Sequence, residues 1–197
     1  MHIQGPSGLL EARFDEAEVA KPIDAVLCHP HPQYGGSMHD AVLDTAARVL
    51  LDHGISCLRF NFRGVGSSQG NYDNGIGEVD DLLAAVAWVR EQRSEHGLWL
   101  VGYSFGSNIV AKAVTSVDPD HALLLAPPVS VMDFSAIAET DRVYAIGGSQ
   151  DDFVDAAKLN GLLGDRAYLI DGADHFFSGF ATELSDAVAQ VLAVGLQ

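Results

Sequence analysis

Apolar residues along this chain follow two alternating rhythms. Short continuous runs read as strands buried on both faces: IDAVLCHP from Ile23, Ile55 to Phe60, and residues 98–102, 121–125, 142–147 and 166–170. Between them, apolar positions recur at helical spacing. Val42, Leu43, Ala46, Val49 and Leu50 mark a helix within 39–53. Val79, Leu82, Leu83, Val86 and Val89 mark another over 76–93, where Glu78, Asp80 and Asp81 favour the N-terminus. Further helices are read over 105–117, 155–163 and 180–194, and residues 2–19 resemble a short hairpin around Gly5–Gly8. Such alternation predicts the α/β class, a mostly parallel sheet with helices on both faces. Ligands of these sheets bind beyond the C-terminal strand ends.

Composition bounds the picture further. A chain of 197 residues, 48% hydrophobic, with no linker, repeat or low-complexity tract, is read as one domain over 1–197. Its longest apolar stretch, ALLLAPPVSVM, is too short to span a bilayer and carries two prolines. The opening residues lack a basic segment followed by a long apolar one, so neither a signal peptide nor a membrane association is expected, and the expected location is cytoplasmic. Cys28 and Cys57 lie inside apolar runs and give neither a disulfide framework nor a zinc pattern. A net charge of −16 with three lysines argues against a nucleic-acid partner, because phosphate binding needs a basic face. The same field should slow the approach of highly anionic substrates. No coiled-coil pattern speaks to oligomeric state.

Two G-x-S-x-G patterns occur, around Ser68 and around Ser104. Ser68 sits in NFRGVGSSQGNYDNG, a loop several residues past its strand with no helix following, and reads as turn chemistry. Ser104 directly follows an apolar strand and directly precedes Ile109, Val110, Ala113 and Val114 at helical spacing. That is the strand–turn–helix setting of a nucleophile elbow. A serine hydroxyl needs a base, and the base an orienting acid. Downstream, GGSQDDFV supplies Asp151 and Asp152 after one strand, and IDGADHFF supplies His175 after the last, in the order Ser, Asp, His. Asp151 is preferred as the acid with Asp152 in reserve. Asp155 reads as a helix cap, and Asp171 and Asp174 lie too near His175 in sequence. His2, His53, His96 and His121 are read as surface or boundary residues.

In order, CHPHPQYGGSM, FNFRGVGSS, GYSFGS, GGSQDDFV and GADHFF make the chain resemble the α/β-hydrolase superfamily over nearly its whole length. It looks most like the small, lidless serine hydrolases related to dienelactone hydrolase. The resemblance implies Ser104 as nucleophile, Asp151 as acid and His175 as base, with no cofactor. It also puts CHPHPQYGG where the second oxyanion donor sits. Pro30 and Pro32 have no N–H, which leaves His29 and His31; His31 matches the family position, so the backbone N–H groups of His31 and Phe105 are the expected donors. Dienelactone hydrolase itself carries cysteine at the elbow, so its substrate does not transfer. The N-terminal part is shorter than in full-length members, and no insertion between Pro127 and Asp141 is long enough for a lid.

The His29-x-His31 pair has a rival reading as metal ligands, but no third ligand stands at suitable spacing, and a structural role in the loop is preferred, with no metal. Arg63 is read as bracing the loop after its strand. Tyr34, Met132, Phe153 and Phe176 are candidates to line an apolar acyl pocket. The expected function is hydrolysis of small or accessible carboxylic esters through an acyl-enzyme. The alternatives are a non-catalytic binding module on this scaffold, or an acyltransferase, thioesterase or peptidase with the same three residues.

Overall fold

The structure, a computed structural model, describes residues 1–196; residue 197, counted in the expected domain, lies outside them. Strands β1 (His2–Gly5), β2 (Gly8–Asp15), β3 (Ile23–Cys28), β4 (Ser56–Phe60), β5 (Gly97–Tyr103), β6 (His121–Leu125), β7 (Val143–Gly148) and β8 (Ala167–Ile170) form one sheet in the order β1-β2-β4-β3-β5-β6-β7-β8. The opening hairpin pairs antiparallel to β4, and every later pairing is parallel. Helices α1 (Ala41–Asp52), α2 (Gly77–Gln92), α3 (Phe105–Val117), α4 (Ala156–Leu163) and α5 (Ala181–Gly195) cover the two faces.

The two-residue period of a strand sends neighbours to opposite faces, and the core divides accordingly. Val26 and Leu100 pack with Leu82, Val86, Ile109 and Val110 under α2 and α3. Ala25, Leu27, Trp99 and Val101 pack with Leu43, Leu50, Val188 and Leu192 under α1 and α5. Both faces of the central strands are therefore dry, which is why their sequence is a continuous apolar run rather than an alternation.

Topology positions the site. After β3 the chain crosses to the α1 face, while after the adjacent β5 it crosses to the α3 face. The two exits diverge and open a crevice at the strand ends. Register makes it narrow: Cys28 lies opposite Gly102, so the segments that follow leave side by side. On the far side Gly148 lies opposite Ile170, so the loops after β7 and β8 also leave together.

Candidate active site

Ser104 sits between β5 and α3 at φ 52°, ψ −116°, a strained backbone for a residue with a side chain. Its N–H donates to the Leu125 carbonyl at 2.9 Å and its carbonyl accepts from the Ser107 N–H at 2.9 Å, so the corner is held from both sides. Gly106 is required by a close approach: a Cβ there would lie 2.2 Å from the Cys28 carbonyl oxygen. With no side chain at that position, α3 starts directly against the end of β3, and the Ser104 side chain is lifted clear of the sheet.

The loops after β7 and β8 bring the other two residues to this corner. His175 Nε2 stands 2.9 Å from Ser104 Oγ, and His175 Nδ1 stands 2.7 Å from Asp151 Oδ2. The Asp151 side chain is fully buried, and its Oδ1 accepts the Phe153 N–H at 2.8 Å. With both carboxylate oxygens engaged, Nδ1 of His175 is the ring nitrogen that carries hydrogen, and Nε2 is left to accept from Ser104. Tyr103 donates its hydroxyl to the His175 carbonyl at 3.0 Å, tying the imidazole's own backbone to β5. Burial, then the carboxylates of Asp40, Asp151 and Asp174, push the Tyr103 phenol above its ordinary pKa. It stays a neutral donor.

The remaining candidate acids are accounted for differently. Asp152 is exposed. Asp155 caps α4, accepting from the Lys158 N–H. Asp171 accepts from the Ser149 hydroxyl, and Asp174 accepts the N–H groups of Phe176 and Ser178. Ser68 is buried, donates to the Asn61 carbonyl and accepts the N–H of Glu11 in β2, so its hydroxyl ties the loop to the sheet.

The two histidines after β3 bind loop backbone. His29 is fully buried; its Nε2 accepts the Phe62 N–H at 3.0 Å, so Nδ1 carries the hydrogen and donates to the Pro30 carbonyl at 2.6 Å. Burial lowers its pKa to about 4, which keeps this tautomer in place at neutral pH. A trans peptide points its C=O and N–H in opposite directions. Fixing the Pro30 carbonyl on His29 therefore turns the His31 N–H the other way. The His31 carbonyl is held in turn by the N–H groups of Tyr34 and Gly36. Its imidazole accepts from Gln33 at Nδ1, meets the Tyr72 hydroxyl at Nε2, and is pushed below its ordinary pKa by burial. Phe105 is the first residue of α3, so no carbonyl one turn back accepts its N–H. His31 and Phe105 both face a cavity of about 360 Å³ beside Ser104 and His175. Tyr34, Met132, Phe153 and Phe176 are all on its wall.

A family model described as serine aminopeptidase S33, of the hydrolase 4 group, matches residues 24–159. The chain belongs to the α/β-hydrolase superfamily. A serine hydrolase homologue from Coxiella burnetii is 37% identical, with TM-score 0.92 over 98% of this chain and 96% of that one. A lidless serine hydrolase from Xanthomonas campestris is 36% identical, with TM-score 0.91 over 98% of this chain and 92% of that one. An uncharacterised protein of Rickettsia prowazekii is 35% identical over 98% of this chain and 87% of its own length.

Among the described residues of this superfamily member nothing covers the strand ends like a lid; the segment 127–141 holds a single short turn of 3₁₀ helix at Ser135–Glu139. Several polar residues around this frame are held by partners that the sequence alone does not reveal. His96 and His121 stand at element boundaries, just before β5 and at the start of β6; His96 is bonded at 2.8 Å to the fully buried Asp24, and His121 packs its ring 4.7 Å from that of Trp99. Glu78 and Asp81, read as favouring the start of the helix, are fully buried. Asp81 takes three hydrogen bonds from Arg63, two of them from the guanidinium, and Glu78 accepts the N–H groups of Asp73 and Gly75. Asp40 and Tyr103 went unnoticed. Asp40 could have been found as the Asp that precedes an amphipathic helix, and Tyr103 as the residue before the elbow serine.

Proposed function

We propose that this hydrolase cleaves small or accessible carboxylic esters, with Ser104 as nucleophile, His175 as general base and acid, and Asp151 as the residue that holds the imidazole. The observation that carries this reading is the unbroken hydrogen-bonded chain Ser104–His175–Asp151 at the C-terminal strand ends. As Ser104 Oγ attacks the ester carbonyl, its proton passes to His175 Nε2, and the buried Asp151 carboxylate offsets the imidazolium charge. The carbonyl oxygen becomes an oxyanion and takes hydrogen bonds from the N–H groups of His31 and Phe105; each such donor is typically worth about 10²–10³ in rate. When the tetrahedral intermediate collapses, the C–O bond to the alcohol breaks and His175 returns its proton to the leaving oxygen. A water molecule then gives its proton to His175 and attacks the acyl-Ser104 ester; as the second intermediate collapses, the acyl C–Oγ bond breaks, His175 returns that proton to Ser104 Oγ, and the acid is released.

The open cavity favours compact or surface-presented acyl groups. Short p-nitrophenyl esters are expected to be turned over, and Ser104→Ala to lose the activity by several orders of magnitude. Equal rates in the two proteins would end the esterase reading. A fluorophosphonate should label Ser104, identified by peptide mass; a label on Ser68 would move the nucleophile.

A further inference from the structure

We propose that the preferred esters carry an ammonium group, and that Asp40 recognises it. This rests on the esterase reading above and names the substrate class for the same site. Asp40 belongs to the cavity wall and is the one carboxylate there. It precedes α1 as its N-cap, and a single oxygen does the capping: Oδ1 accepts from Val42 at 2.9 Å and from Leu43 at 3.4 Å. Among the described residues Oδ2 has no hydrogen-bond partner, and it is not sealed off from solvent. Capping also fixes the carboxylate in place, so little ordering is needed when a cation arrives.

No lysine or arginine lines the cavity to neutralise that charge. Lys158 and Lys112 lie off this wall, donating to the carbonyls of Val129 and Gly75. The rest of the wall is largely aromatic. Tyr34, Phe153 and Phe176 are 86%, 44% and 67% exposed and form a rim at its mouth, and Phe153 and Phe176 stand edge-on to the His175 ring at 4.9 and 5.4 Å. A cavity whose wall carries aromatic rings and one carboxylate held by its cap is a setting that attracts a quaternary or tertiary ammonium while tolerating its methyl groups. It also repels a carboxylate-bearing ester. A net charge of −16 adds a long-range field of the same sign.

The test compares esters that differ only in charge. Butyrylthiocholine is paired with the thiobutyrate of 3,3-dimethylbutanethiol, in which carbon replaces nitrogen. The p-nitrophenyl ester of 4-(trimethylammonio)butyrate is paired with that of 5,5-dimethylhexanoate, and the glutarate half-ester serves as the anion. The expected result is kcat/KM about tenfold higher for the cation in at least one pair, with the glutarate ester slowest. Asp40→Asn keeps the cap, because asparagine caps as well as aspartate. In that variant the cation-to-neutral ratio should fall to about unity, and in the wild type 0.5 M salt should shrink it. Neutral esters turned over with no cation preference, or with one that survives in Asp40→Asn, would overturn the inference and leave the esterase reading standing. No turnover of any ester by the wild type would overturn both.

Discussion

Asp151→Asn is the most informative single change at the candidate site. The wild-type carboxylate accepts on both oxygens, from the Phe153 N–H at 2.8 Å and from His175 Nδ1 at 2.7 Å. An asparagine in the same place must still offer its oxygen to Phe153, because that backbone donor cannot turn round. Its NH₂ then faces His175 and forces Nδ1 to become the acceptor. The imidazole hydrogen moves to Nε2 and points at Ser104 Oγ, so the ring no longer has a lone pair to take the serine proton. Losing the right tautomer while keeping the geometry is worth about 10⁴ in kcat, or about 5 kcal/mol of transition-state stabilisation. Initial rates on p-nitrophenyl acetate, normalised to protein concentration with folding checked by circular dichroism, measure the loss. The neighbouring Asp152→Asn, at an exposed position, should stay within about twofold of the wild type, as surface changes usually do. A loss below tenfold in Asp151→Asn, or matching losses in both variants, would refute the tautomer reasoning.

Other outcomes follow from the packing around this site. Asp81→Ala leaves the buried guanidinium of Arg63 only the exposed Asp73 carboxylate at 3.9 Å and should cost about 3–5 kcal/mol, read as a drop of about 10 °C in Tm by calorimetry; a change of under 2 °C would show the pair to be idle. Gly106→Ala puts a Cβ 2.2 Å from the Cys28 carbonyl and must pry α3 from β3, which should cost about 1–3 kcal/mol and cut ester turnover through the displaced Phe105 N–H. Burial holds His29 at a pKa of about 4 against an ordinary 6.5, so between those values the unfolded chain binds a proton that the native one does not. Its contribution is whole above about pH 6.5 and is lost as pH falls toward 4, about 3 kcal/mol in all. Urea midpoints from pH 7 to 4 should therefore fall more gently in His29→Gln, and parallel curves would contradict this.

Much of the architecture was legible one residue at a time. Continuous apolar runs gave the strands because central parallel strands are dry on both faces, and the 3.6-residue spacing gave the helices. Even the elbow could be read locally, since a serine between glycines at a strand–helix junction is defined within five residues. Strand order, register and charge burial could not. Nothing in the letters around Asp151 and Asp152 tells which carboxylate turns inward; alternate residues of a loop look alike until a second loop, from β8, closes against one of them. The burial of Asp81 was hidden for the same reason, because its partner Arg63, eighteen residues away, reaches it only through the folded loop 61–76. Local sequence fixes what each segment prefers to be. Which distant groups meet, and hence which charges are desolvated, which histidine is neutral and which serine finds a base, was decided only by packing the segments together.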